Sequence, residues 1–101
     1  MMCIQILLPV LDKRGHPRAY RLFEDVQNEL TTSFGGVTAF INTTAQGRWT
    51  KNRRTVHDDI VVIEVMVKRI NRAWWHRYKL SLEERFEQET IVIRALAMQL
   101  L

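Results

Sequence analysis

DDIVVIEVMVK, residues Asp58 to Lys68, decides the fold. β-Branched residues dominate it, neither Gly nor Pro interrupts it, and charged residues bound both ends, as in a long β-strand. Side chains alternate along a strand, so Val61, Ile63, Val65 and Val67 share one face while Ile60, Val62, Glu64 and Met66 share the other. Both faces are apolar apart from Glu64. An open antiparallel sheet shows polar residues on its wet side, so this pattern predicts a central strand in a sheet covered on both faces.

Downstream, Asn71 is placed to cap a helix running to about Gln88, with Trp74, Trp75, Tyr78, Leu82 and Phe86 as its apolar stripe. Arg72, Arg77, Lys79, Glu83, Glu84 and Glu87 take the wet side. The stripe has the spacing that helix packing needs, which favours core over a cofactor box. Thr90 to Met98 then alternates as a last strand, Ile91, Ile93, Ala95 and Ala97 against Val92, Arg94, Leu96 and Met98.

Upstream, the sixteen mostly polar residues Asn42 to His57 form either a long hairpin or an unusually long loop. Trp49 within them either folds back onto the sheet or stacks on a ligand. Before them, Gly35-Gly36 ends a helix predicted over Arg18 to Phe34, and Val37 to Ile41 opens the second strand. Ala19, Phe23, Val26, Leu30 and Phe34 make that helix's inner stripe, and Pro17 suits its first turn. Asp12 to Pro17 is a loop, and Cys3 to Val10 is the first strand, ending near Pro9.

The order strand, helix, strand, strand, helix, strand is that of a ferredoxin-like α+β sandwich, a four-stranded antiparallel sheet with two helices on one face. With right-handed crossovers the first and third strands are expected as parallel neighbours in the centre, the fourth beside the first and the second beside the third.

The 101 residues form one expected domain, burying roughly two-thirds of the surface of the unfolded chain. A formal net charge of +4 favours anionic partners without requiring them. Cys3 is the single cysteine, which excludes an internal disulfide and fits a reducing cytoplasm. The apolar run Ile4 to Leu11 is too short to span a bilayer and has no basic segment before it, so neither export nor membrane insertion is expected. In that setting the sequon Asn42-Thr43-Thr44 is read as chance.

His16, His57 and His76 show no ligand spacing, which disfavours a metal site, and no residue pattern asks for a cofactor. Asp58 and Asp59 point to opposite faces of a strand, against shared acid–base work. Lys13, Arg14 and Arg18 with Lys51, Arg53 and Arg54 could meet phosphates, but the central strands lack the aromatic residues of an RNA-recognition sheet, so nucleic-acid binding is disfavoured.

FGGVTAF (Phe34 to Phe40), GRW (Gly47 to Trp49), DDIVVIEVMV, then an aromatic helix ending in LEERFEQE before IVIR, resemble a family of small uncharacterised bacterial proteins from Ile4 to Leu96. The resemblance implies a ferredoxin-like or dimeric α+β barrel fold, hence a homodimer with its sheets face to face. Antibiotic-biosynthesis monooxygenases and muconolactone isomerases share such a scaffold, and no residue pattern here ties the chain to either.

The face away from the helices is assigned Cys3, Gln5 and Leu7, Ile60, Val62, Glu64 and Met66, and Val92, Arg94, Leu96 and Met98. It is too apolar to face water, which predicts a second copy or a small-molecule ligand upon it. Gln5, Glu64 and Arg94 are its strongly polar members and are expected to form one row. That row is either a satisfied buried network fixing register or dimer geometry, or the polar floor of a ligand cleft. If the protein is a cofactor-free enzyme, Glu64 is the candidate general acid or base and Arg94 the anion partner. Gln5, Trp49, Glu64 and Arg94 are therefore the candidate ligand-binding residues.

Overall fold

The computed structural model describes the backbone of residues 1–36, 38–51 and 54–101, and the side chains of 1–36, 38 and 60–101. The elements follow in the order β1 (Met2–Pro9), α1 (Tyr20–Phe34), β2 (Thr38–Lys51), β3 (Arg54–Val67), α2 (Arg72–Arg85) and β4 (Ile93–Ala97). The strands make one sheet in the order β2-β3-β1-β4, antiparallel at every pairing. The central pair therefore differs from the parallel arrangement expected above. The chain reaches β3 by turning back from β2, and that reversal sets β3 against β1.

Within the stretch 42–57 β2 and β3 pair antiparallel, with Gln46 opposite Asp59 and Lys51 opposite Arg54, while residues 52 and 53 lie outside the described residues. A register shift between Phe40 and Ala45 interrupts the ladder. Asp58 and Asp59 are strand residues, and their side chains lie outside the described residues, as do those of Lys51, Arg54 and His57.

One face of the sheet carries the core. Ile4, Ile6 and Leu8 of β1 lie opposite Val65, Ile63 and Val61 of β3, all buried. Phe23, Val26 and Leu30 of α1 and Trp75 and Leu82 of α2 pack with them, as do Phe86 and Ile91 beyond α2. Both helices thus cover the same face. Among the described residues this core buries no polar or charged side chain.

Both helices have the ends their sequence predicts at one terminus. Asn71 accepts a hydrogen bond from the Trp74 backbone N–H at 3.1 Å, the interaction expected of an N-cap. Gly35 closes α1 at φ 81°, donating its N–H to Thr31, a conformation in which a Cβ would be strained. The start of α1 is later than expected. Pro17 pairs with Leu11 in a bridge that closes the preceding loop, and Ala19 is the N-cap without a side-chain bond. Within that loop the Asp12 carboxylate accepts from the backbone N–H groups of His16 and Arg14, and these bonds hold its pKa down.

The helices are also tied to each other. Arg85 forks onto Glu29 of α1 at 2.8 and 2.9 Å, and the Tyr78 hydroxyl donates to the same carboxylate at 2.8 Å. Burial pushes Glu29 up, but the bonds from Arg85 and Tyr78 and the Arg85 charge outweigh it and leave its pKa lowered. Arg18, grouped above with possible phosphate contacts, sits over the Phe86 ring at 5.5 Å with two guanidinium nitrogens buried. It belongs to the packing. Among the described residues no helix is long and apolar enough to cross a membrane.

Candidate functional site

Among the described residues no helix lies on the second face of the sheet. Alternation along β1 and β3 places Cys3, Gln5 and Leu7 beside Val62, Glu64 and Met66, because the core residues occupy the intervening positions. On β4 the pairing adds Arg94 opposite Gln5 and Leu96 opposite Cys3. Met66 is 55% exposed, Val92 47% and Leu96 45%, so an apolar surface remains open to solvent here.

The register brings the three expected polar residues into one line. Gln5 lies opposite Glu64 on one side and opposite Arg94 on the other. Its amide nitrogen donates to the Glu64 carboxylate at 2.7 Å, and its amide oxygen accepts from Arg94 Nε at 2.7 Å. The amide is thereby held in one orientation, since only its NH₂ can meet a carboxylate and only its oxygen a guanidinium. Glu64 is bound to Gln5 through Oε2, and Arg94 through Nε. A carboxylate, an amide and a guanidinium therefore stand in sequence across three strands, with Leu7, Val62, Met66, Leu96 and Cys3 around them and Thr38 of β2 opposite Glu64.

Cys3 is the neighbour that sequence reasoning did not connect to this row. Burial pushes its thiol pKa up, and the Glu64 charge and the bond between thiol and carboxylate push it the same way. Its position two residues before Gln5, on the same face of β1, carries that signal in retrospect. Trp49 belongs to β2, where its backbone lies opposite Val56, and its side chain lies outside the described residues.

A concavity of about 250 Å³ lies between α2 and β4, and Arg94 is among the residues that line it. Arg72, His76 and Lys79 border it from the helix, and Ile93 and Ala95 from the strand. Lys79 is engaged by Glu83, whose carboxylate also accepts the Ile91 backbone N–H at 2.9 Å. Among the described residues no group of three or more His, Cys, Asp or Glu gathers to hold a metal ion.

No family profile and no curated protein matches the chain. Two solved structures are similar in fold. A phage SAM lyase in complex with S-methyl-5'-thioadenosine superposes with a TM-score of 0.64 at 12% identity, over 94% of this chain and 79% of that one. A phage SAM lyase in the apo state gives 0.60 at 14% identity, over 94% and 78%. At such identities the likeness is one of fold, an α+β domain with an antiparallel sheet and two helices.

Proposed function

We propose that the chain is a homodimeric ferredoxin-like domain that closes its open sheet face against a second copy and holds a small ligand in the cleft, over Gln5, Glu64 and Arg94. The observation that carries this reading is the row itself. Two opposite charges are fixed through one amide on a surface whose neighbouring members in β1, β3 and β4 are mainly apolar, and few convergent polar groups in an apolar cleft are the usual make-up of a small-molecule site. The likeness in fold to a protein that holds S-methyl-5'-thioadenosine supports thionucleosides as the ligand class to try first.

Equilibrium dialysis against S-methyl-5'-thioadenosine and S-adenosylmethionine tests it. Saturable binding of one of them is expected, weakened about tenfold or more in Glu64→Gln, the loss of about 1.4 kcal/mol or more. No saturable binding, or equal binding by the variant, contradicts the reading.

The second reading is a cofactor-free enzyme on the same surface, with Glu64 as general acid or base and Arg94 as partner to a developing anion. It draws on two points: Arg94 spends only Nε on Gln5, leaving its terminal nitrogens for an anion, and the protein of similar fold is a lyase. Release of S-methyl-5'-thioadenosine from S-adenosylmethionine, abolished by Glu64→Gln, would favour it over simple binding.

A further inference from the structure

The three polar residues share one level across the sheet, and so do their apolar neighbours. Cys3 stands between Met66 and Leu96, and Leu7 stands between Val62 and Val92, its N–H bonded to the Val92 carbonyl at 3.0 Å. Within β4, β1 and β3 the open face is thus a grid with β1 as its middle column, and β2 adds Thr38 opposite Glu64 at the outer side of β3. Its charge runs from negative at Glu64 through neutral at Gln5 to positive at Arg94, over two strand spacings, about 10 Å.

A second copy can be laid on this grid about a two-fold axis in the plane of the cleft. If the axis runs along β1, every level is kept and the β3 and β4 columns exchange. Glu64 of one chain then faces Arg94 of the other, Val62 faces Val92, and Met66 faces Leu96. If instead the axis runs across the strands at the level of the row, Glu64 faces Glu64 and Arg94 faces Arg94, like charges brought together away from water. The row is therefore self-complementary for one axis and self-repelling for the other.

We infer that the partner of this face is a second copy related by a two-fold axis along β1, so that each cleft site is composite, with Glu64 from one chain and Arg94 from the other. This rests on the homodimer reading above and adds its geometry. Arg94 has hydrogen-bonding capacity left to serve it. Arg94 bonds Gln5 through Nε alone, which leaves its two terminal nitrogens to fork onto a carboxylate, and among the described residues no carboxylate lies in ion-pair range of it. Packed sheets lie about 10 Å apart, a gap that Glu and Arg side chains approaching from opposite sides can close or narrow onto a ligand. Within one chain the two groups stand side by side with Gln5 between them and cannot grip a ligand from opposite faces.

Trans-complementation tests the arrangement. Glu64→Lys makes both ends of the row positive and Arg94→Glu makes both negative. Each variant alone is expected to sediment as a monomer at a concentration where the unmodified protein is a dimer, and an equimolar mixture is expected to restore a dimer holding one chain of each. Circular dichroism reports whether the variants fold. The isosteric pair Glu64→Gln and Arg94→Gln gives an independent reading: mixing them, with one isotopically labelled, should enrich the heterodimer above its statistical half in native mass spectrometry, because only there is no charge left unpaired. A mixture that stays at the statistical ratio, or single charge variants that dimerise as tightly as the unmodified protein, overturns the composite site while leaving the dimer standing. An unmodified protein that is monomeric overturns both.

Discussion

Gln5 is one side chain between two charges, and its removal leaves a half-buried carboxylate and an exposed guanidinium each short of a hydrogen bond. Hydrogen bonds to charged groups contribute about 1.5–3 kcal/mol where they are sheltered, and less where water competes. Gln5→Leu is accordingly expected to lower the unfolding free energy by about 1–2 kcal/mol in urea titration; an unchanged midpoint would mean that the row does not help to hold the sheet. Glu29 gives a prediction in pH. Its pKa is lowered in the folded chain, so the stability it contributes is present above its unfolded value, about 4.3, and is lost as pH falls through the lower folded value. Glu29→Gln should therefore lose less stability than the unmodified protein between about pH 5 and pH 3. With the Glu29 and Arg85 side chains 44% and 30% exposed, the difference should be small, on the order of half a kcal/mol to one. At this scale the sequence told which residues were polar on an apolar face. It did not tell that Gln5 bridges the other two, because that depends on two strand registers set by pairings distant in the chain.

The elements were legible where a period or a cap marked them. The α2 stripe reads directly, with Trp75, Leu82 and Phe86 buried, Trp74 half-buried against Phe34, and Tyr78 half-buried and stacked on Trp74. Phe86 is fully buried and meets Phe23 edge-on at a centroid distance of 5.6 Å, so Phe86→Ala should cost about 3–5 kcal/mol by chemical denaturation. A cost below about one kcal/mol would place Phe86 outside the core, at odds with this packing. Asn71→Ala removes the α2 cap and should cost about 1 kcal/mol. The start of α1 was less legible, since Pro17 fits the first turn of a helix as well as the loop closure it makes here. The last strand is shorter than its alternation promised. Ile91 is buried with its N–H bonded to Glu83, and the cross-strand bonds begin only at the Val92 carbonyl, so alternation ran on where pairing did not. The central strand's orientation went astray for a different reason: hydrophobic pattern carries no direction, and only the turn back from β2 supplies one.

On the scale of the molecule, both helices lie on one side, and the other side keeps Met66, Val92 and Leu96 open around three linked polar groups. An apolar sheet face left bare invites association, and a two-fold partner is the commonest answer. Leu96→Asp puts a charge on that surface without touching the core, and should dissociate the proposed dimer while leaving the far-UV circular dichroism unchanged. Whether a second copy closes the open face is read from sedimentation equilibrium of the unmodified protein at micromolar concentration. A mass twice the 12.0 kDa of the chain, falling to that of one chain in Leu96→Asp, is the result expected; a stable monomer of the unmodified protein would contradict it.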